Sequence, residues 1–142
     1  DVEDRLELTR LAFADFPRAE VVRDDHAYTV DFLRDERPAS DDTVFLVGAD
    51  EFADFRSWRE PEAVLRLVRV AVATRPGYPR ELLEPVLAGL ASEDGVELFD
   101  IPQTPVSSSE IRARVRGGES IDGLVPDSVA REIARRGLYR AV

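Results

Sequence analysis

Three consecutive serines, Ser107, Ser108 and Ser109, are followed at helical spacing by Arg112 and Arg116. Pro102 and Pro105 hold the approach to them extended, and each disfavours helix at the residue before it. The apolar positions then change to helical spacing at Ile111 and Val115, so a helix is expected to start within Ser107–Ser109. Serine favours that position because its hydroxyl accepts a hydrogen bond from an unpaired N–H of the first turn. Such a start offers free N–H groups, three hydroxyls, a partial positive charge and two guanidinium groups on one face. That set is suited to holding a chain of phosphates. The plainer reading is a capped surface helix with solvated arginines, and the rest of the chain has to decide between them.

Other residues could serve a ligand. Asp50 follows Gly48 where an apolar run ends, and a carboxylate there can accept both hydroxyls of a ribose or simply cap a helix. Trp58, the one tryptophan, sits in a polar stretch and offers a face for stacking a flat ring or for packing. Tyr28 and Thr29 open a helix whose backbone donors could meet a ligand, Thr29 being the expected cap. His26, the one histidine, has no histidine or cysteine partner. It reads as a surface residue near a helix start, and no metal site is expected. No nucleophile, base and acid stand at a spacing that supports a catalytic triad.

These residues need a scaffold, and the chain alternates strand and helix signals. Helices are expected over Asp1–Ala14, from an opening at His26 to Thr29 with Val30 and Leu33 facing inward, over Glu51–Phe55, Glu60–Leu67, Arg80–Ser92 with a kink at Pro85, and Asp127–Arg136. A polar turn containing Pro38 runs from Glu36 to Asp42. Strands are expected at Ala19–Arg23, Thr43–Val47, Val68–Ala73 and Val96–Phe99. The near-continuous Val-Phe-Leu-Val run reads as a strand covered on both faces, as in a parallel sheet. The fold class is α/β, a doubly wound, Rossmann-like parallel sheet in one domain over residues 1–142. Ligands of such sheets bind beyond the carboxyl ends of the strands. The expected strand exits are Gly48 to Asp50, Arg75 to Gly77, and the serine stretch.

The 142 residues are enough to bury a core. A net charge of −10 argues against non-specific binding to nucleic acid or to anionic membranes. Without cysteine, disulfides and thiol chemistry are excluded. No apolar run approaches membrane-spanning length, so a soluble cytoplasmic protein is expected. A homo-oligomer is left open.

Taken together, Tyr28-Thr29-Val30-Asp31, Gly48-Ala49-Asp50, Trp58, Arg75-Pro76-Gly77, Val106 to Arg112, Val125-Pro126-Asp127 and Leu138-Tyr139 make the chain resemble the bacterial nicotinate-nucleotide adenylyltransferases. The resemblance runs over essentially the whole chain. Ser107 to Arg112 is similar to the Ile-Ser-Ser-Thr-x-Ile-Arg motif shared by the nucleotidylyltransferase superfamily. Gly48 to Asp50, Trp58 and Arg75 to Gly77 point to the nicotinate branch. The resemblance implies transfer of the adenylyl group of ATP to nicotinate mononucleotide, with Mg²⁺, giving deamido-NAD and pyrophosphate. It implies that Ser107, Ser108, Ser109 and Arg112 hold phosphates and that Asp50 with Gly48 holds the adenosine ribose. Tyr28, Thr29, Trp58 and Arg75 would serve the mononucleotide. Another adenylyltransferase of the superfamily, such as one using phosphopantetheine, and a non-catalytic nucleotide-binding module are the alternatives.

The sequence departs from the family's pattern in three places. Ser109 stands where the family usually has threonine, and Phe32 where threonine is common. The glycine-rich opening segment with two histidines, which stabilise the transition state in the family, has no counterpart. The chain is therefore expected to be the carboxyl-terminal portion of an enzyme without catalytic residues of its own. By itself it is expected to be inactive and poorly stable, since the strands at the middle of the sheet would be missing.

Overall fold

The computed structural model describes residues 1–36, 42–74, 79–90, 94–102 and 106–140. The chain divides into two compact units, Asp1–Arg23 with Thr104–Val142, and Asp24–Gln103.

The first unit is helical. Helix α1 spans Val2–Ala12 and starts on a capping box: Asp4 N donates to Asp1 Oδ1 at 2.8 Å, and the amino group of Asp1 reaches Asp4 Oδ2 at 3.3 Å. Helix α6 spans Ser108–Arg116, and α7 spans Asp127–Arg136. Gly137 closes α7 in the left-handed conformation at φ 63°, which a side chain would resist. Ile111, Ile121, Val129 and Ile133 form the buried centre, and Leu8 and Leu11 of α1 pack against it. Asp4 accepts from Arg136 at 2.8 Å, fixing α1 to the end of α7.

The second unit is an α/β layer. Strands β1 (Val44–Gly48), β2 (Arg69–Thr74) and β3 (Val96–Asp100) form a parallel sheet in the order β1-β2-β3. Val47 pairs with Val72, and Val72 with Leu98. Helices α2 (Thr29–Glu36), α3 (Ala49–Ala53), α4 (Pro61–Leu67) and α5 (Glu84–Leu87) accompany it, with short 3₁₀ turns at Phe55–Ser57 and Arg80–Leu82. Phe52 and Phe55 stack at 5.0 Å between centroids inside a core that includes Val30, Val64 and Val72. This is an α/β fold, with parallel strands whose carboxyl ends share one edge.

Several expectations need correction. Ala19–Arg23 forms no strand: Val22 is 57% exposed and no described strand pairs with the segment. A β-branched run becomes a strand only where a sheet edge receives its N–H and C=O groups. The Val-Phe-Leu-Val strand is not covered on both faces. Phe45 and Val47 point into the core, whereas Val44 and Leu46 are 45% and 65% exposed. Arg80–Ser92 is not one kinked helix. Pro85 sits in the first turn of α5, where its missing N–H costs nothing, so the chain restarts there after the 3₁₀ turn. Thr29 is the first residue of α2, and it is the carbonyl of Tyr28 that accepts from Asp31 and Phe32. Ser92 and Pro38 lie outside the described residues.

Candidate functional site

In the second unit the carboxyl ends of the strands carry Gly48, Thr74 and Asp100. Gly48 is followed at once by α3, which puts Asp50 in a first helical turn. A methyl group added at Gly48 would meet Asp50 Oδ1 at 2.8 Å, so glycine is what lets the carboxylate lie back over the strand exit. Thr74 is the one buried polar residue among those described, and its hydroxyl is placed against the Phe99 carbonyl at 3.0 Å and the Asp100 carboxylate. This ties the exits of β2 and β3 together. Arg75, Pro76 and Gly77, expected at the β2 exit, lie outside the described residues.

Beside the β1 exit is a recess of about 290 Å³ lined by Tyr28, Thr29, Glu51, Ser57, Trp58 and Arg59. The local sequence builds it from two sides. On one side α2 begins, anchored by Val30 and Leu33, both buried as expected. On the other, the 3₁₀ turn puts Trp58 against the core edge: its ring meets Phe45 edge-on at 6.2 Å and Phe55 at 5.1 Å. The chain reverses directly afterwards through Glu60, which adopts a left-handed φ of 49°. Arg34 of α2 holds that turn with two hydrogen bonds to the Glu60 carboxylate, at 3.1 and 2.8 Å. The guanidinium keeps the Glu60 carboxyl below its ordinary range. Arg59 is thereby carried over the Tyr28 ring, 4.8 Å from its centroid.

His26, next in the chain to Ala27 of the recess lining, lies between two carboxylates. Its Nδ1 is 2.8 Å from Asp24 Oδ1, and its Nε2 is 3.2 Å from Asp35 Oδ2. Hydrogen bonding to Asp24, then to Asp35, raises the imidazole pKa above its ordinary value.

In the first unit, Ser107 is the N-cap of α6, and its Oγ accepts from Glu110 N at 3.1 Å. A hydroxyl that accepts still has its own proton to donate. Ser108 and Ser109 are exposed, and Arg112 Nη2 donates to Ser109 Oγ at 3.3 Å. Ser107, Ser108 and Arg112 line a depression of about 430 Å³ together with Arg5, Thr9 and Tyr139. Arg116 does not join them; it lines a separate depression near the other end of α6, with Arg131 and Arg140.

The structure thus gathers the expected residues into three groups: Gly48 with Asp50; Tyr28, Thr29 and Trp58; and Ser107, Ser108 and Ser109 with Arg112. Sequence reasoning missed Arg59, whose neighbour Trp58 was the available signal. The contact of His26 with Asp35 was not visible either, since it exists only once α2 has formed. Among the described residues no group of three or more His, Asp or Glu could hold a metal ion.

The cytidylyltransferase-like family model matches residues 1–114. A protein of Bordetella avium named "Probable nicotinate-nucleotide adenylyltransferase" is 40% identical over 145 residues, covering 97% of this chain and 73% of the relative. One of the same name from Frankia alni is 38% identical over 148 residues, covering 99% of this chain and 75% of the relative. A solved structure of the Plasmodium falciparum nicotinic acid mononucleotide adenylyltransferase complexed with APC aligns with a TM-score of 0.49 at 22% identity, covering 69% of this chain and 50% of that one. On the family model and the two sequence relatives, the chain belongs to the nicotinate-nucleotide adenylyltransferases of the cytidylyltransferase-like family.

Proposed function

We propose that the chain serves the transfer of the adenylyl group of ATP to nicotinate mononucleotide, forming deamido-NAD and pyrophosphate in NAD biosynthesis. The observation that carries this reading is the recess of Tyr28, Thr29, Trp58 and Arg59 beside a strand exit in a member of this family. Its 290 Å³ is at the small end of ligand pockets and suits one ring rather than a dinucleotide. Pyridine carboxylate has an apolar face and an anionic edge. The indole of Trp58 serves the face, and Arg59 with the first N–H groups of α2 serves the edge.

In the reaction, a phosphate oxygen of the mononucleotide attacks the α-phosphorus of ATP. The bond to the β-phosphate breaks, and its electron pair leaves on pyrophosphate. No protein nucleophile is required; the rate comes from positioning and from stabilising charge on the phosphoryl oxygens. Ser108, Ser109 and Arg112, with the unpaired N–H groups of α6, are suited to the departing pyrophosphate. Ser107 donates its remaining proton while capping the helix. Asp50 is suited to accept from the ribose hydroxyls, and Arg75 completes the mononucleotide side. Mg²⁺ carried in with ATP would neutralise its phosphate oxygens. Among the described residues no helix is long and apolar enough to cross a membrane.

The test is Trp58→Ala in the whole gene product, followed by pyrophosphate release. Loss of a stacking face is expected to raise KM for nicotinate mononucleotide about tenfold and leave KM for ATP within about twofold. Equal losses for both substrates, or faster turnover of phosphopantetheine, would overturn the assignment.

A further inference from the structure

We propose that His26 is a positioning residue of the pyridine recess, acting as an imidazolium that clamps the chain entering Tyr28 and Thr29 to the last turn of α2. The proposal rests on the reading of the recess given above, and it adds a protonation-dependent control of mononucleotide binding.

The geometry states the protonation requirement. Both ring nitrogens face carboxylate oxygens, Nδ1 at 2.8 Å from Asp24 and Nε2 at 3.2 Å from Asp35. An ionised carboxylate only accepts, whereas a neutral imidazole has one N–H and one lone pair. The neutral ring can therefore satisfy one carboxylate and must turn a lone pair towards the other. Only the imidazolium donates to both. Asp24 and Asp35 are the charged groups facing the ring among the described residues, and Phe32 of α2 meets it edge-on at 5.8 Å. Both carboxylates push the ring towards its charged form.

The two arms are unequal. Asp24 Oδ1 also accepts from the backbone N–H of His26 at 2.8 Å, so that arm is closed locally whatever the ring's charge. The Asp35 arm spans nine residues, and among the described residues the ring is the partner of that carboxylate. The shorter Nδ1 contact keeps the single N–H of the neutral ring on Asp24, so deprotonation releases Asp35. The residues between the two arms include Ala27, Tyr28 and Thr29, which line the recess. Val30 and Leu33 keep the body of α2 anchored, so what releasing Asp35 loosens is the approach from His26 to Tyr28, and the Tyr28 ring with Arg59 above it loses its fixed position opposite Trp58. His26 reaches the substrate through Tyr28 and does not touch it.

The experiment is a pH titration of the whole gene product upward from about pH 7, where carboxylates are ionised and a nucleotide phosphate is already dianionic, until the His26 signal stops moving. Ring signals of His26, Tyr28 and Trp58 are followed by nuclear magnetic resonance and assigned by their loss in single variants. The Tyr28 and Trp58 signals are expected to move with the same midpoint as His26. Nicotinate mononucleotide affinity, read from Trp58 fluorescence, should weaken about fivefold across that midpoint while ATP affinity stays flat. His26→Arg keeps a permanent donor pair between the two carboxylates and should make the mononucleotide affinity independent of pH. Tyr28 and Trp58 signals indifferent to the His26 titration, or the same pH dependence in His26→Arg, would overturn the clamp. If the mononucleotide leaves Trp58 unchanged at every pH, the substrate reading fails, and the coupling of the ring signals still decides on the clamp.

Discussion

At the scale of single residues, the site depends on small geometric permissions. Gly48 is one. An alanine there puts a Cβ 2.8 Å from Asp50 Oδ1, and the carboxylate would have to shift. Gly48→Ala is expected to change stability by less than about 0.5 kcal/mol. It should weaken ATP about tenfold, the size of one lost hydrogen bond to a charged group. Calorimetric titration of ATP checks this, and an unchanged affinity would remove Asp50 from the ribose. Arg59 over Tyr28 is a second permission. It exists because Glu60 accepts a left-handed backbone under the grip of Arg34, a conformation no neighbouring residue type announces.

At the scale of elements, the parts written in local signals were legible in the sequence. The start of α6 follows from a serine cap after two prolines, and the end of α7 from Gly137. Ser107→Ala removes the bond to Glu110 N and is expected to cost about 1 kcal/mol, lowering the melting midpoint by about 4 °C. Thermal denaturation followed by circular dichroism measures it. What was not legible depends on partners distant in sequence. Val21 and Val22 have strand-forming side chains, yet strand formation is a property of a pair, and no described strand pairs with them. Phe45 and Leu46 are equally apolar, but the helices cover only one face of β1, so adjacent residues met opposite fates. Of the candidate site, the serine–arginine helix start and the tryptophan were visible as residue types. The His26 bridge and the Arg59 stack were not, because α2 and the Glu60 turn must fold before either exists.

At the scale of the whole molecule, ion pairs titrating at opposite ends of the pH range should give a stability plateau. Glu132 of α7 is held by Arg135 and then Arg136 down to about 2, from an ordinary 4.5. A carboxyl depressed on folding contributes fully above its unfolded value and loses that contribution as pH falls towards its folded one. Asp4, held low chiefly by Arg136, acts in the same direction. His26 has the opposite sign: raised on folding from 6.5, it contributes fully below that value and loses the contribution as pH rises through its folded pKa. The melting midpoint is therefore expected to be flat from about pH 4.5 to about pH 6.5 and to fall on either side. His26→Arg should remove the alkaline fall alone, and melts across the range check both arms. The exposed outer face of β1 has a different consequence, for handling. Thr43 to Gly48 is a short uncharged run without proline, and Leu46 shows 65% of its surface to water beside a strand edge with no neighbour among the described residues. Such a ribbon templates aggregation. Concentrated solutions should turn turbid through this segment, and Leu46→Lys, a gatekeeper charge on the solvent side, should keep them clear by light scattering without altering the melting midpoint.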